Sequence, residues 1–241
     1  MPLTARHPAR GLLDATQDDL GCGWAWDQVH NVTPRADLSC TYCQHRMHAK
    51  RSVAGLRYFA HDPGGPQCSL GLETMEHRLL KLQLATAIRG AGHQADLEVR
   101  GPEGRWRADV LATTGSGRRM AWEAQMSSIT ADDARRRTAT LAADCVVVCW
   151  VFVEGHRPWM PYVPAIRVRP PADRADPWRV ITGLFRWTGL HWEPVQVLLD
   201  DFVAWTLNEQ VVPRRFSPPR DYWVGGWTAP QYLAQAARRR L

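Results

Sequence analysis

Lysine is nearly missing from this chain: Lys50 and Lys81 are the only two among 30 lysine and arginine residues. Its positive charge is therefore carried by arginine, whose planar fork suits phosphate but which an arginine-biased composition also supplies without function. Long apolar runs are missing too. None approaches the ~18 residues needed to cross a bilayer, which excludes a spanning helix. Residues 1–20 place Arg6, Asp14, Asp18 and Asp19 where a secretory signal would need an apolar stretch, so the expected compartment is the cytoplasm. No internal repeat is found. What is present is ordinary for a folded enzyme: 241 residues, 45% hydrophobic and 22% charged, enough for one good core with appendages.

A net charge of +6 and a pI near 9.3 favour a polyanionic partner, because basic surfaces attract phosphate and release its counterions. The arginine runs at 135–137, 214–215 and 238–240 are by default solvated faces.

Hydrophobic patterning predicts a helix from Leu72 to Arg89, rich in good formers and stopped by Gly90 and Gly92. Three short strands follow, His93 to Arg100, Trp106 to Thr113 and Met120 to Met126, separated by glycine turns. Thr130 caps a helix to about Ala143, and the apolar run from Cys145 to Phe152 is a buried strand in which Cys145 and Cys149 are small core residues. Outside this region the patterning predicts a strand over 24–32, a Trp-containing hairpin over 184–192, a helix over 195–207 and a last helix after Thr228. Of the twelve tryptophans, Trp223 and Trp227 are the candidates for stacking on bases, with packing as their default role.

Two segments carry chemistry. If the Gly115-Ser116-Gly117 turn is centred near Ser116, residues whose numbers sum to 232 face each other across the hairpin, and Asp109 falls opposite Glu123. Gln125 shares their side, since strand side chains alternate. Two facing carboxylates repel unless a cation lies between them, and oxygen donors with room for phosphate suit Mg²⁺ or Mn²⁺. The bland alternative is a surface hairpin whose acids pair with Arg105, Arg107 or Arg119. On the preceding helix Glu76, His77 and Lys81 share an arc of ~140°, so Glu76 is a candidate metal ligand, and His77 and Lys81 are candidates to orient water or phosphate. Glu98 is a weaker candidate on the first strand. The order helix, three strands, helix, strand is that of the PD-(D/E)xK nuclease superfamily, which places its metal-binding acids on the second and third of those strands.

The second constellation is Cys40-x2-Cys43, His61 and Cys68, a thiolate and imidazole set that suits tetrahedral Zn²⁺, with His45 and His48 as competing ligands. Residues 40–71 are poor in aliphatics, so a structural zinc is expected to hold them.

Taken in order, Cys40-Thr41-Tyr42-Cys43, Tyr58-Phe59-Ala60-His61, Glu76-His77 with Lys81, Glu98, Arg107-Ala108-Asp109-Val110, and Glu123-Ala124-Gln125 with Ser127 resemble the successive motifs of the CoiA-like competence protein family. The resemblance covers about residues 38–152 and implies a short Cys/His zinc element joined to a PD-(D/E)xK nuclease-like domain. It also explains Gln125, since the superfamily commonly has lysine there whereas this family tends to Glu-x-Gln.

The resulting expectation is an α/β protein with a restriction-endonuclease-like core, a mixed sheet flanked by helices, and a small zinc module. It divides into residues 1–37, a zinc module at 38–71, a nuclease-like core at 72–155 and a C-terminal extension at 156–241. The expected activity is metal-dependent hydrolysis of DNA, in DNA processing, uptake and recombination or defence. RNA is left open as substrate, and so is a protein partner in DNA processing; no membrane partner is expected. Asp109, Glu123 and Glu76 are the expected ligands of catalytic Mg²⁺ or Mn²⁺. The alternative is a catalytically inactive nuclease-fold protein that binds DNA or a recombination partner. A zinc-dependent transcription regulator would need a recognition helix after a tight turn, and none is found.

Overall fold

The structure, a computed structural model, describes residues 2–68, 73–153, 160–173, 176–216 and 224–238. Trp223, Leu72 and Arg239-Arg240 lie outside them. The chain forms two compact units, Met1–Gln83 and Leu84–Leu241.

The first unit is built on a five-stranded antiparallel sheet in the order β2-β1-β3-β4-β5. Its strands are β1 (Thr4–His7), β2 (Gly11–Asp14), β3 (Leu38–Ser39), β4 (Arg46–Arg51) and β5 (Arg57–His61). Alternation along β4 turns Met47 and Ala49 inward while Arg46 and Lys50 stay exposed. The core beneath the sheet gathers Leu13, Leu20, Trp26, Val29, Leu38, Met47 and Phe59. Residues 1–37 thus supply two strands and much of the apolar surface that residues 40–71 lack. The strand expected over 24–32 is not formed: Trp26–Gln28 make one turn of 3-10 helix, and the buried residues, Trp26 and Val29, stand three apart, a helical spacing rather than the alternation of a strand.

Helix α1 (Met75–Gly90) crosses the division between the units. Its Thr74 hydroxyl accepts from the His77 amide at 3.3 Å, satisfying an open N–H of the first turn. In the second unit a seven-stranded sheet has the order β14-β11-β10-β9-β8-β7-β6. It contains β6 (Gln94–Arg100), β7 (Arg107–Thr113), β8 (Arg119–Ala124), β9 (Val146–Phe152), β10 (Ala165–Arg169), β11 (Arg179–Thr182) and β14 (Val197–Leu198). The first three form an antiparallel meander; β8, β9 and β10 then run parallel. Parallel neighbours need a crossover, and α2 (Ala131–Ala143) supplies it between β8 and β9. Thr130 caps α2 by accepting from the Asp133 amide at 3.1 Å. The fold is therefore α/β with a mixed sheet, and its order from α1 to β9 is helix, three strands, helix, strand.

On one side of this sheet Ala134 and Leu141 of α2 pack with Ala121, Val146, Val148 and Trp150. Trp122 points the other way and meets Phe202 of α3 (Leu199–Leu207) edge-on at 6.1 Å. Helix α3 is shorter than expected because Val197–Leu198 pair with β11 as β14. The Trp hairpin forms as β12 (Phe185–Trp187) and β13 (Trp192–Pro194), with Trp187 opposite Trp192. Trp227 is buried on β16 (Val224–Thr228), which pairs with β15 (Val212–Phe216), and the chain ends in α4 (Pro230–Arg238). Cys149 is buried as expected. Cys145 is exposed, because it takes a left-handed φ of 58° in the turn from α2 into β9 and precedes the strand.

Candidate functional site

The hairpin register is the one the Ser116 turn dictates. Val110 faces Trp122, Leu111 faces Ala121 and Thr113 faces Arg119, so the next position along places Asp109 opposite Glu123. On the other side of β7, Leu97 pairs with Val110 and Val99 with Ala108, which leaves Glu98 level with Asp109. Glu98, Asp109 and Glu123 therefore form a row across β6, β7 and β8. All three are buried, Glu123 to 1% exposure. Glu98 departs from strand geometry with a φ of 56°, a conformation that costs a non-glycine residue about 1 kcal/mol or more and tends to persist at functional positions.

Each acid is held differently. Asp109 Oδ2 accepts the Ala124 amide at 3.0 Å, a bond from the strand that carries Glu123. The Glu98 carboxylate lies 3.6 Å from Arg107 Nε. Glu123 Oε2 takes a guanidinium N–H of Arg137, which reaches in from α2. Its other oxygen, Oε1, is buried and has no hydrogen-bond partner among the described residues. Burial, and next the negative charge of Asp109, push the Glu123 carboxyl up to about 8, against the opposing pull of Arg137 and Arg107.

Gln125 sits at the end of this row with its amide fixed. Its Nε2 donates to the Ser127 carbonyl at 2.8 Å and to the Ser127 hydroxyl at 3.0 Å, while Oε1 accepts from Arg137 Nη1 at 3.4 Å. The Arg137 guanidinium also lies 4.7 Å from the centre of the Trp150 ring. Arg137 is the one member of this constellation the sequence reading treats only as part of a solvated run. Its helical neighbours carry the missing signal: Ala134 and Leu141, three residues before and four after it, are the buried positions of α2. Arg135 and Arg136 do stay on the outside, paired with Asp132 and Asp133.

The α1 candidates lie in the first unit. Glu76 is exposed, and its carboxyl is held below the usual range by its own backbone N–H and by the Thr74 hydroxyl, as a first-turn acid at a helix N-terminus. His77 is half-buried. Lys81 is fully buried and gives its ammonium to both carboxylate oxygens of Glu73, at 2.7 and 2.8 Å.

The first unit also gathers the Cys/His set. The turn after β3 folds back with the Cys40 amide on the His45 carbonyl at 2.9 Å, and β5, paired with β4, delivers His61. The ligand atoms of Cys40, Cys43, His61 and Cys68 all lie within 4.8 Å of one another. The Cys40 and Cys68 sulfurs are 3.9 Å apart, and Cys43 Sγ is 3.3 Å from His61 Nε2. Two thiolates on one tetrahedral zinc stand about 3.8 Å apart, so the cluster has the donor set and spacing of a structural zinc site. The competing histidines are engaged elsewhere: His45 Nε2 meets the Asp62 carbonyl at 3.1 Å, and His48 Nδ1 meets the Asp62 carboxylate at 2.6 Å. Burial pushes the Cys40 thiol up to about 12, which a bound dication would oppose.

No curated protein matches the sequence. The solved structure of Pyrococcus furiosus SfsA in complex with Ca²⁺ is similar at 12% identity and a TM-score of 0.28, covering 58% of this chain and 82% of that one. Residues 73–158, which contain the whole acidic row, Gln125, Ser127 and Arg137, match the family described as competence protein CoiA, nuclease-like domain.

Proposed function

We propose that this protein is a divalent-metal-dependent DNA nuclease of PD-(D/E)xK type, with Asp109 and Glu123 as the acids that hold the metal. The observation that carries this reading is the row of buried acids on β6, β7 and β8, with one Glu123 oxygen left unpaired. A buried carboxylate oxygen without a partner costs about 1–3 kcal/mol, and a dication at that oxygen offsets the cost. The donors in the row are all hard oxygens, which fits Mg²⁺ or Mn²⁺ better than zinc.

A metal held there by Asp109 and Glu123 would supply an acidified water and positive charge for a phosphate. The remaining work falls to side chains. Asp109 is fixed by the Ala124 amide, so its position does not depend on the metal. Gln125 cannot take up a proton, but Ser127 anchors its Nε2 and turns its Oε1 toward the row, where it can hold a water by accepting one of its hydrogens. Arg107, beside Glu98, adds positive charge for a phosphate that approaches. The Cys/His cluster lies in the other unit and has a structural role.

The test is cleavage of labelled single- and double-stranded DNA, with RNA as a parallel arm, in Mg²⁺ and in Mn²⁺. Metal-dependent fragments that vanish on chelation are expected. No cleavage of any form by zinc-replete protein would overturn the reading in favour of a nuclease-fold protein that binds without turnover.

A further inference from the structure

Glu123 is nearly inaccessible, whereas the Arg137 side chain that pairs with it is 42% exposed. The acid is therefore the fixed partner and the arginine the one with room to move. Arg137 also touches Gln125 and lies over Trp150, so its guanidinium rests on three supports at the edge of the acidic row. With Arg107 beside Glu98, two guanidiniums stand against three carboxylates, and the site without metal carries one net negative charge when all are ionised.

We propose that Arg137 is a resident counter-cation that gives up Glu123 when a divalent metal binds and then serves as a phosphate clamp. The inference rests on the metal-dependent reading above. A dication at the row needs Glu123 Oε1 and repels a guanidinium bound to the same carboxylate, so the two cations compete for one acid. Metal also adds two positive charges to the site, leaving it one net positive when all three acids are ionised. A phosphodiester is thus drawn to the row only after metal binds, which favours the order metal first, DNA second. The Trp150 face keeps a cationic resting place for the freed guanidinium, and its fork suits bidentate contact with a phosphate.

The exchange is tested by Mn²⁺ binding to the full, zinc-replete chain, with Asp109→Asn as the blank for adventitious sites. Arg137→Gln removes the competitor and should bind Mn²⁺ at least tenfold more tightly than the unaltered protein. The same variant should bind duplex DNA in Ca²⁺ at least tenfold more weakly. Arg137→Lys keeps the charge without the fork; it should fall between the two in Mn²⁺ affinity, and its melting curve should match the unaltered protein. Equal or weaker Mn²⁺ binding by Arg137→Gln, or by Arg137→Lys should the first variant fail to fold, overturns the exchange while the metal site stands. No Mn²⁺ binding by any of the three overturns the metal-dependent reading and the exchange with it.

Discussion

Arg137 of α2 reaches the Glu123 carboxylate on β8 from fourteen residues away in sequence, and it gives that carboxylate a direct guanidinium partner from outside the hairpin. The contact joins the crossover helix to the strand it follows, so the βαβ connection that builds the parallel part of the sheet also organises the site.

The first prediction concerns proton and metal competition at Glu123. Its carboxyl sits at about 8 in the fold against an ordinary 4.5, so between these values the native state keeps a proton that the unfolded chain has released. Metal-free protein therefore loses stability as pH rises through this window; the contribution is complete below the ordinary value and gone above about 8. Metal binding must displace the same proton, so Mn²⁺ affinity should rise by up to about tenfold per pH unit below 8 and level off above it. Calorimetric titrations from pH 6 to 9 check this. An affinity that is flat across the range would show that Glu123 is ionised without metal.

Much of this was legible because hairpin arithmetic is rigid: one turn position and the strand period of two determine which residues oppose each other. Asp109, Glu123 and Gln125 were legible that way, and so were the strands from Gln94 to Ala124. Arg137 was not: the Ala134 and Leu141 spacing sets it toward the buried face of α2, but which acid it meets depends on the packing angle of the helix on the sheet, which no local pattern states. Residues 1–37 were opaque for a related reason: β1 and β2 are four residues each, too short for alternation to declare itself, and Leu13, Leu20 and Trp26 gain meaning only when β3 and β4 close the sheet over them.

That shared core refines what a zinc held by the Cys/His cluster would do. Because Leu13, Trp26 and Phe59 pack with Cys40 and Cys68, the first unit has apolar burial besides the metal cluster. Elemental analysis should find one zinc per chain, and Cys40→Ser/Cys43→Ser should lose it. The variant should melt earlier yet keep strand content in circular dichroism at low temperature, unlike a zinc finger that is unfolded without metal. Absence of zinc in the unaltered protein would remove the site.

DNA affinity should fall by an order of magnitude or more between 50 and 200 mM salt if several phosphates are contacted. Exposed Arg214 and Arg215 on β15 are candidates for such contacts. Their substitution by glutamine should lower the salt slope as well as the affinity. A flat titration would favour a protein partner over DNA.

Lys81 is predicted to matter for stability. Its ammonium is buried against Glu73, whose side chain is 4% exposed, and Lys81→Ala would strand that carboxylate in the interior. Breaking a buried pair from one side costs about 3–5 kcal/mol, so the variant should show a sharply lowered denaturation midpoint. Replacing both partners, Lys81→Met with Glu73→Gln, should recover part of the loss, because position 73 then carries no charge to be stranded. If Lys81→Ala instead melts like the unaltered protein but loses DNA cleavage, the lysine acts on substrate and the pairing with Glu73 is incidental.

The sharpest expectation is for the acids themselves. Asp109→Asn and Glu123→Gln are nearly isosteric, and the second mimics the protonated carboxyl that the metal-free fold already accommodates near neutral pH. Glu123→Gln should therefore melt as the unaltered protein does without metal, and should abolish the loss of stability between pH 4.5 and 8. Asp109→Asn should cost somewhat more, since a neutral amide oxygen accepts the Ala124 N–H less strongly than a carboxylate. Both should end Mg²⁺-dependent cleavage, because each removes a charge that holds the metal, while DNA binding through arginines outside the row, Arg214 and Arg215 among them, persists in gel-shift assays with Ca²⁺. Cleavage that survives Glu123→Gln would place the reacting centre elsewhere on the protein.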